Sequence, residues 1–307
     1  DLLNAIQALS QLSYSPSARR YIAKKRPPCQ QKNQKSFPVP AKPRRPAPPS
    51  PPVSRPDGPF LPRTKAYAAG MNFLYLTDVF CPWCYGFAPV MRRLVAEHPE
   101  LPVRVLGGNL MDEPQTLTGM LEEYPTIREF FVRLQETTGQ STEHFRQALE
   151  RAVAGTGPDL LMHSPAMNLP LAALRHLAPG HQLEQMEAFQ MAFYAQARDV
   201  MAAGEQAAIA AAWLPAGTPP DALTTAMADP AIQSAARHDA AEAEEVMGEF
   251  LLYPTLYLEH GGQRTLLARG YSDYASVRAK LDDALRGVLE SPVAQGAACG
   301  LDGKCCF

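Results

Sequence analysis

Asp78-Val79-Phe80-Cys81-Pro82-Trp83-Cys84-Tyr85-Gly86 is the stretch on which the reading of this chain turns. Upstream, residues 73–80 read Phe-Leu-Tyr-Leu-Thr-Asp-Val-Phe, a run of aromatic and branched residues that suits a buried strand. Downstream, Phe87, Val90, Met91, Leu94 and Val95 recur at spacings of three and four, which is one face of a helix. Pro82 falls just inside that helix, where a missing N–H does no harm, and His98-Pro99 closes it. Two cysteines separated by two residues therefore sit at the first turn of a helix. The free N–H groups and the dipole there favour a thiolate. A thiolate with a second thiol in reach can make and break disulfides.

Two other readings of the pair are weighed against this. A structural zinc site would need two further ligands at matching spacing. The next cysteine after Cys84 is Cys299, and no histidine pair stands at ligand spacing. Two unreactive core cysteines are the second reading, because buried Cys is common. A second piece of sequence favours redox chemistry. Tyr253-Pro254-Thr255-Leu256-Tyr257-Leu258 puts a proline at the head of a β-type run, Gly261-Gly262 makes a turn, and Thr265-Leu266-Leu267-Ala268 can return antiparallel. Ser272-Asp273 then caps a helix carrying Tyr274, Val277, Leu281, Leu285 and Leu289.

With these residues in view, the chain resembles the DsbA-like thioredoxin family, in its cytoplasmic, FrnE-like branch. The match is carried by residues 78–89, ending Tyr85-Gly86-Phe87-Ala88-Pro89, by Leu106-Gly107-Gly108, and by Tyr253-Pro254-Thr255. It spans about residues 71 to 289. The resemblance implies an α/β, thioredoxin-like fold with a large all-helical insertion. It implies Cys81 as nucleophile, Cys84 as resolving thiol and Pro254 as a cis-proline beside them. Trp83, Tyr85, Tyr253 and Thr255 are the substrate-contacting candidates, the first two expected at the surface. The chain departs from the family at two points. Leu252 stands where relatives often carry a small residue, so the peptide groove is expected to be narrower. Pro82-Trp83 between the cysteines lacks the histidine of DsbA, which predicts a less extreme thiol pKa and a weaker oxidant.

Charge and proline divide the chain. Residues 1–70 hold 13 Lys/Arg against 2 Asp/Glu and 14 of the 30 prolines; the remaining 237 hold 16 basic and 29 acidic residues. The arm has little to bury and is expected to be disordered or polyproline-like. Three readings fit it, in this order: an upstream extension with Met71 as the natural start, a transit peptide, or a basic arm for an anionic surface. It lacks a folded nucleic-acid-reading motif and aromatic interleaving, so nucleic acid is not the expected partner. No run of about 18 apolar residues is present, and no membrane partner is expected. With no signal-peptide pattern at Asp1 or before Met71, a cytoplasmic location is expected.

The expected organisation is an arm at 1–70, a thioredoxin-like domain from 71–112 and 250–289, an inserted helical domain at 113–249, and a tail at 290–307. In the insert, Ile127, Phe130, Phe131 and Leu134 share one face, and Ser141 can cap the helix of Phe145, Leu149 and Val153. Leu183, Met186, Phe189 and Phe193 form a further stripe, and Ala207 to Leu214 reads as helix. Proline breaks fall near 158, 179, 215 and 230. Asp78 can hold the turn after the strand or relay a proton to Cys84; the first is the expected role.

Cys299, Cys305 and Cys306 make a cysteine-rich tail. Cys299 or Cys305 could pass electrons to the pair; the competing reading is a tail with incidental thiols. Cys29 in the arm is expected to play no part. The predicted function is a thiol–disulfide oxidoreductase of protein-disulfide reductase or isomerase type, with no bound cofactor or metal and glutathione as a potential co-substrate. Its expected partners are protein or small-molecule thiols and disulfides. Two alternatives stand beside it. One is a glutathione-dependent isomerase or transferase, of the 2-hydroxychromene-2-carboxylate isomerase or kappa glutathione transferase type, though these typically carry Ser where Cys81 stands. The other is a non-catalytic binding or chaperone module.

Overall fold

Strand β1 (Met71–Thr77) is the centre around which the fold is laid out. All of its residues except Asn72 are buried, so an unbroken apolar run is what both of its covered faces require. A computed structural model describes residues 70–249 and 251–290. The expectations for the basic arm, and for Cys29, Cys299, Cys305 and Cys306, lie outside the described residues.

From β1 the chain turns into α1 (Pro82–Glu97) and returns as β2 (Val103–Gly107), parallel to β1, with Phe73 opposite Val103 and Thr77 opposite Gly107. Far along the sequence, β5 (Thr255–His260) pairs antiparallel to the other side of β1, placing Leu76 opposite Thr255. β6 (Gln263–Arg269) completes a four-stranded sheet of order β2-β1-β5-β6. The β5–β6 turn is Gly261-Gly262, at φ +55° and +78°. Two successive left-handed residues match the twist of a tight hairpin, and glycine adopts them without strain.

Between β2 and β5 lie β3 (Gln115–Thr116), α2 (Leu117–Glu123), α3 (Ile127–Thr138), α4 (Glu143–Val153), β4 (Leu161–Met162), α5 (Ser164–Leu177), α6 (Gln182–Gln190), α7 (Ala203–Ala210), α8 (Ala222–Met227) and α9 (Pro230–Met247). β3 and β4 form a separate two-stranded ladder. A π-helical turn, Met191–Ala195, extends α6. Helix α10 (Tyr274–Glu290) follows β6 and packs on it and on α1. The edge strand β2 is covered by α6 and α9, which hides an open row of backbone groups.

Several sequence expectations need correcting. The strand ends at Thr77 rather than residue 80, because the Asp78 carboxylate takes the Phe80 N–H at 2.8 Å and bends the chain. At its other end β1 begins at Met71, two residues ahead of Phe73, where the apolar run of the sequence starts. The Ala-rich helix is Ala203–Ala210; residues 211–213 turn away from it. Pro230 opens α9 at its first turn, the helical position proline tolerates best. The stripe of Ile127, Phe130, Phe131 and Leu134 is buried on α3 as its spacing requires. The expected Ser141 cap is not formed: Thr142 is the residue before α4, its side chain makes no cap bond, and Ser141 only accepts the Glu143 N–H at 3.4 Å, whereas Asp273 does accept the Ser276 N–H at 2.9 Å.

Candidate active site

Cys81 is the residue immediately before α1, with extended backbone (φ −86°, ψ 110°). Its Sγ accepts the Cys84 N–H at 3.3 Å, and Pro82 begins the helix. The start of α1 faces the strand that opens at Thr255. The Tyr253–Pro254 peptide there is cis, and the Cys81 thiol donates to the Tyr253 carbonyl at 3.7 Å. The Cys81 side of the pair is thus brought beside the Tyr253–Pro254 peptide, 172 residues on from Cys81 to Tyr253.

Both thiols are free and buried, Cys81 at 1% exposure and Cys84 at 0%. Here the structure overturns an expectation. Burial pushes the Cys81 thiol well up, and the neighbouring Cys84 thiol and the Asp78 charge push the same way. The Cys84 backbone N–H lowers it, as a helix start should, but does not outweigh the loss of water. Cys81 is therefore held as a thiol rather than a standing thiolate.

Asp78 holds the loop together. One oxygen accepts the Phe80 N–H at 2.8 Å and the Ser164 hydroxyl at 3.0 Å; the other accepts the Leu110 N–H at 3.0 Å. The turn-holding role is realised, and it ties β1 to the segment after β2 and to the start of α5. Burial pushes the Asp78 carboxyl up to about 6 in spite of these bonds. In the unfolded chain the group returns to about 3.9. The folded state therefore holds this proton more tightly. Its contribution to stability is full below about pH 4 and is lost as pH rises through about 6, in all about 3 kcal/mol. Urea midpoints of the native protein and Asp78→Asn, compared at pH 4.5 and pH 8, should shift relative to each other in favour of Asn at the higher pH. A constant difference would show that Asp78 ionises equally in both states.

The helical stretch reaches into the same loop. Gln190 Nε2 donates to the Asp78 carbonyl at 3.0 Å and to Thr77 Oγ1 at 3.2 Å. Tyr194, on the π-helical turn, donates to the Phe80 carbonyl at 2.6 Å. Gln140 donates to the Tyr85 carbonyl at 3.2 Å, and Tyr85 donates to the Ser141 carbonyl at 2.8 Å. Gln190 and Tyr194 were not legible as site residues. Their one sequence signal is a polar group inside an apolar stripe, which many core residues share.

Trp83 and Tyr85, expected at the surface, are instead buried at 8% and 1%. Phe130 and Tyr271 close over the Trp83 ring, at 5.7 and 5.4 Å between centroids. Tyr85 stacks on Tyr194 at 5.2 Å. The indole N–H of Trp83 is buried without a hydrogen-bond partner. Tyr253 and Thr255 are also buried, and Thr255 donates to the Leu252 carbonyl at 2.6 Å. What this segment turns toward Cys81 is the Tyr253 carbonyl; the Pro254 carbonyl already accepts the Gly270 N–H at 2.7 Å. Gly107-Gly108 has a steric reason. A Cβ at Gly108 would lie 2.3 Å from the Tyr253 ring, and one at Gly107 2.3 Å from the Asn168 amide oxygen.

Among the described residues, no group of three His, Cys, Asp or Glu side chains is placed to hold a metal ion. No helix among them is long and apolar enough to cross a membrane.

A four-stranded sheet with a dithiol at the start of its first helix, facing a cis-proline, defines a thioredoxin-like oxidoreductase with a helical stretch set into it. The DSBA-like thioredoxin domain model matches residues 75–248, and the chain belongs to that family of thiol–disulfide oxidoreductases. No curated protein matches the sequence. Among solved structures, the chain is similar to a protein of Nitrosomonas europaea described as a candidate protein disulfide isomerase. That match has TM-score 0.59 and 23% identity, and covers 71% of this chain and 98% of that one. It is also similar to the cytosolic disulfide reductase DsbM of Pseudomonas aeruginosa, with TM-score 0.53, 22% identity and coverage of 70% and 98%. The glutathione-bound form of DsbM matches with TM-score 0.55, 23% identity and coverage of 70% and 99%. At these identities the likeness is one of fold.

Proposed function

We propose that this chain is a protein-disulfide reductase or isomerase that works through the Cys81-Pro82-Trp83-Cys84 pair, with Cys81 as nucleophile and Cys84 as resolving thiol. In the reducing direction, Cys81 gives up its proton and its Sγ attacks one sulfur of a substrate disulfide. An S–S bond forms to Cys81, and the other substrate sulfur leaves as a thiolate. Cys84 then attacks Cys81 Sγ, and the second substrate sulfur leaves, completing a two-electron transfer. The Cys81–Cys84 disulfide is returned to dithiol by a small thiol, for which glutathione is the natural candidate. The glutathione-bound state of DsbM supports that choice, as the cytosolic description of DsbM supports a cytoplasmic setting.

The observation that carries the direction is the burial of Cys81 beside Asp78. A strong oxidant stabilises its reduced form by holding a thiolate. This site withholds water and adds a negative neighbour, which favours the disulfide over the thiolate. The division of labour follows: 71–112 with 250–289 carries the redox pair, and 113–249 roofs it and shapes the substrate path.

A glutathione redox titration of the full chain, with alkylated thiols mapped by mass spectrometry, tests the reading. Cys81 and Cys84 should convert together, with a midpoint nearer the roughly −270 mV of a reductant than the roughly −120 mV of a strong oxidant. Glutathionylation of Cys81 alone, with no internal disulfide, would move the assignment to a glutathione-dependent transferase or isomerase.

A further inference from the structure

Parallel strands β1 and β2 end side by side, with Thr77 opposite Gly107. The turn that leads to Cys81 and the segment that follows β2 therefore leave the sheet at the same edge. The two are stitched together: the Gly108 N–H donates to the Thr77 carbonyl at 2.8 Å, and the Leu110 N–H donates to Asp78 at 3.0 Å. Asn109, between them, lines a cleft of about 300 Å³ that runs between α5 and α9. Crevices at the carboxyl ends of parallel strands are where open α/β sheets take their ligands, and the volume falls at the small end of the range for ligand cavities.

Ala236 and Ala240, one helical turn apart on α9, give the cleft its depth, because a single methyl at each leaves the space between the helices unfilled. The rest of the floor and walls is largely polar. Asn168 of α5 is 8% exposed, and its Nδ2 donates to the Gly108 carbonyl at 2.9 Å and to Asn109 Oδ1 at 3.2 Å. Gln233 Nε2 donates to the Met227 carbonyl at 3.1 Å, which leaves its Oε1 to accept. Arg237 is the single charge in the lining. It makes no hydrogen bond or ion pair among the described residues. Its neighbours at pairing distance on the helix, Gln233, Ser234, Ala240 and Ala241, include no acid. Nearby acids of α9 are engaged elsewhere: Asp239 by Arg175, Glu242 by Arg104, and Glu244 by Asn109.

An unpartnered guanidinium beside a cleft of side-chain amides is matched by a carboxylate on a short peptide. Arginine takes a carboxylate on two N–H groups, and the amides can exchange hydrogen bonds with peptide groups. Tyr253 links this cleft to the thiols. Its hydroxyl receives the Asn109 N–H at 3.4 Å, and its carbonyl receives the Cys81 thiol at 3.7 Å. Asn109 and the nucleophile thus stand at the two ends of one residue. An extended tripeptide spans about 10 Å, long enough to lie alongside it. We propose that the cleft is the subsite for the carboxylate-bearing end of the small peptide thiol that returns the Cys81–Cys84 disulfide to dithiol, an assignment that rests on the redox-pair reading above. One peptide thiolate attacks Cys81 Sγ, Cys84 leaves and takes up a proton, and Arg237 holds the carboxylate of the molecule now bound. A second peptide thiolate attacks the sulfur of the first. The S–S bond to Cys81 breaks, a small disulfide departs, and Cys81 takes up a proton.

The full chain is oxidised until Cys81 and Cys84 are joined, then mixed with excess thiol. Loss of that one disulfide is followed by acid quench, alkylation and mass spectrometry of the peptide that carries both residues. Glutathione, a tripeptide thiol with two carboxylates, is compared with 2-mercaptoethanol, which has none. Arg237 is exposed and has no partner to lose, so Arg237→Gln should keep the fold. It should lower the rate constant for glutathione about fivefold and leave that for 2-mercaptoethanol unchanged. Arg286→Gln, the same loss of charge on α10, should alter neither. An unchanged glutathione rate in Arg237→Gln overturns the assignment. So does an equal fall with both thiols, which would mean that the redox pair itself had changed. An equal fall in Arg286→Gln overturns it as well, since overall charge would then account for the attraction. A native chain that forms no Cys81–Cys84 disulfide, or whose disulfide resists both thiols, sinks the redox-pair reading and the cleft assignment with it.

Discussion

Cys81→Ser should remove disulfide exchange by at least ~10³-fold, the scale on which loss of a nucleophile is felt, while the protein keeps its fold. Serine fills nearly the same volume, and its oxygen can still accept the Cys84 N–H that reaches Cys81 Sγ at 3.3 Å. Its hydroxyl, though, ionises far too weakly to attack sulfur at neutral pH. Insulin reduction with glutathione recycling reads the loss, and circular dichroism reads the intact fold. Cys84→Ser provides the contrast, because it keeps the attacking thiol and should accumulate a mixed disulfide. If Cys81→Ser retains full activity in whatever assay the native protein passes, the molecule acts by binding, as a chaperone-like module would, and not by its thiols.

Gly108→Ala should be the most damaging single methyl group in the protein. It would place a carbon 2.3 Å from Tyr253 Cζ and 2.5 Å from Cε1, far inside contact distance. The ring has little room to yield: it is 2% exposed, precedes the cis peptide to Pro254, and its hydroxyl receives the Asn109 N–H. Overpacking of this kind costs about 3 kcal/mol, or roughly 6–12 °C in melting temperature for a domain of this size. Any shift of Tyr253 also moves the carbonyl that faces Cys81, so activity should fall with stability. Gly204→Ala is the control, since a Cβ there meets nothing within 4 Å. It lies in a helix, where the added methyl should be neutral or stabilise by ~0.5–1 kcal/mol. Equal urea midpoints for the two variants would show that the Tyr253 ring gives way freely.

How much of this was legible beforehand follows from how local each cause is. The helix start directly after Cys81, the proline at the head of α1, the Gly261-Gly262 turn and the Asp273 cap are settled within a few residues, and they read correctly. So did the buried stripe of α3, whose period belongs to the helix itself. The end of β1 was misread because Val79 and Phe80 are as apolar as the strand before them, and only the bond from Phe80 N–H to Asp78 shows the chain turning. The surface placement of Trp83 and Tyr85 failed for a different reason. Position beside a redox pair suggests exposure, but Phe130, Tyr271 and Tyr194 arrive from far along the chain to cover them. The thiol pKa failed in the same way. The helix start acts in the direction expected, and burial by distant residues reverses the net result. Gln190 and Tyr194 point the same lesson inward, since a polar side chain among apolar ones announces a partner without saying which.

The separation between Cys81 and the groups that cover it has a consequence during synthesis. Tyr194 follows Phe80 by 114 residues, and Tyr253 follows Cys81 by 172. At a translation rate of roughly 5–20 residues per second, the thiol pair leaves the ribosome on the order of 10–30 s before Tyr253 is made. Over that interval the roof is still being made and strand β5 does not yet exist, so the sulfurs lack their full cover. The nascent chain is therefore at its most easily oxidised and most open to glutathione before it can act as an enzyme. Its final strands shelter the chemistry as well as complete the sheet.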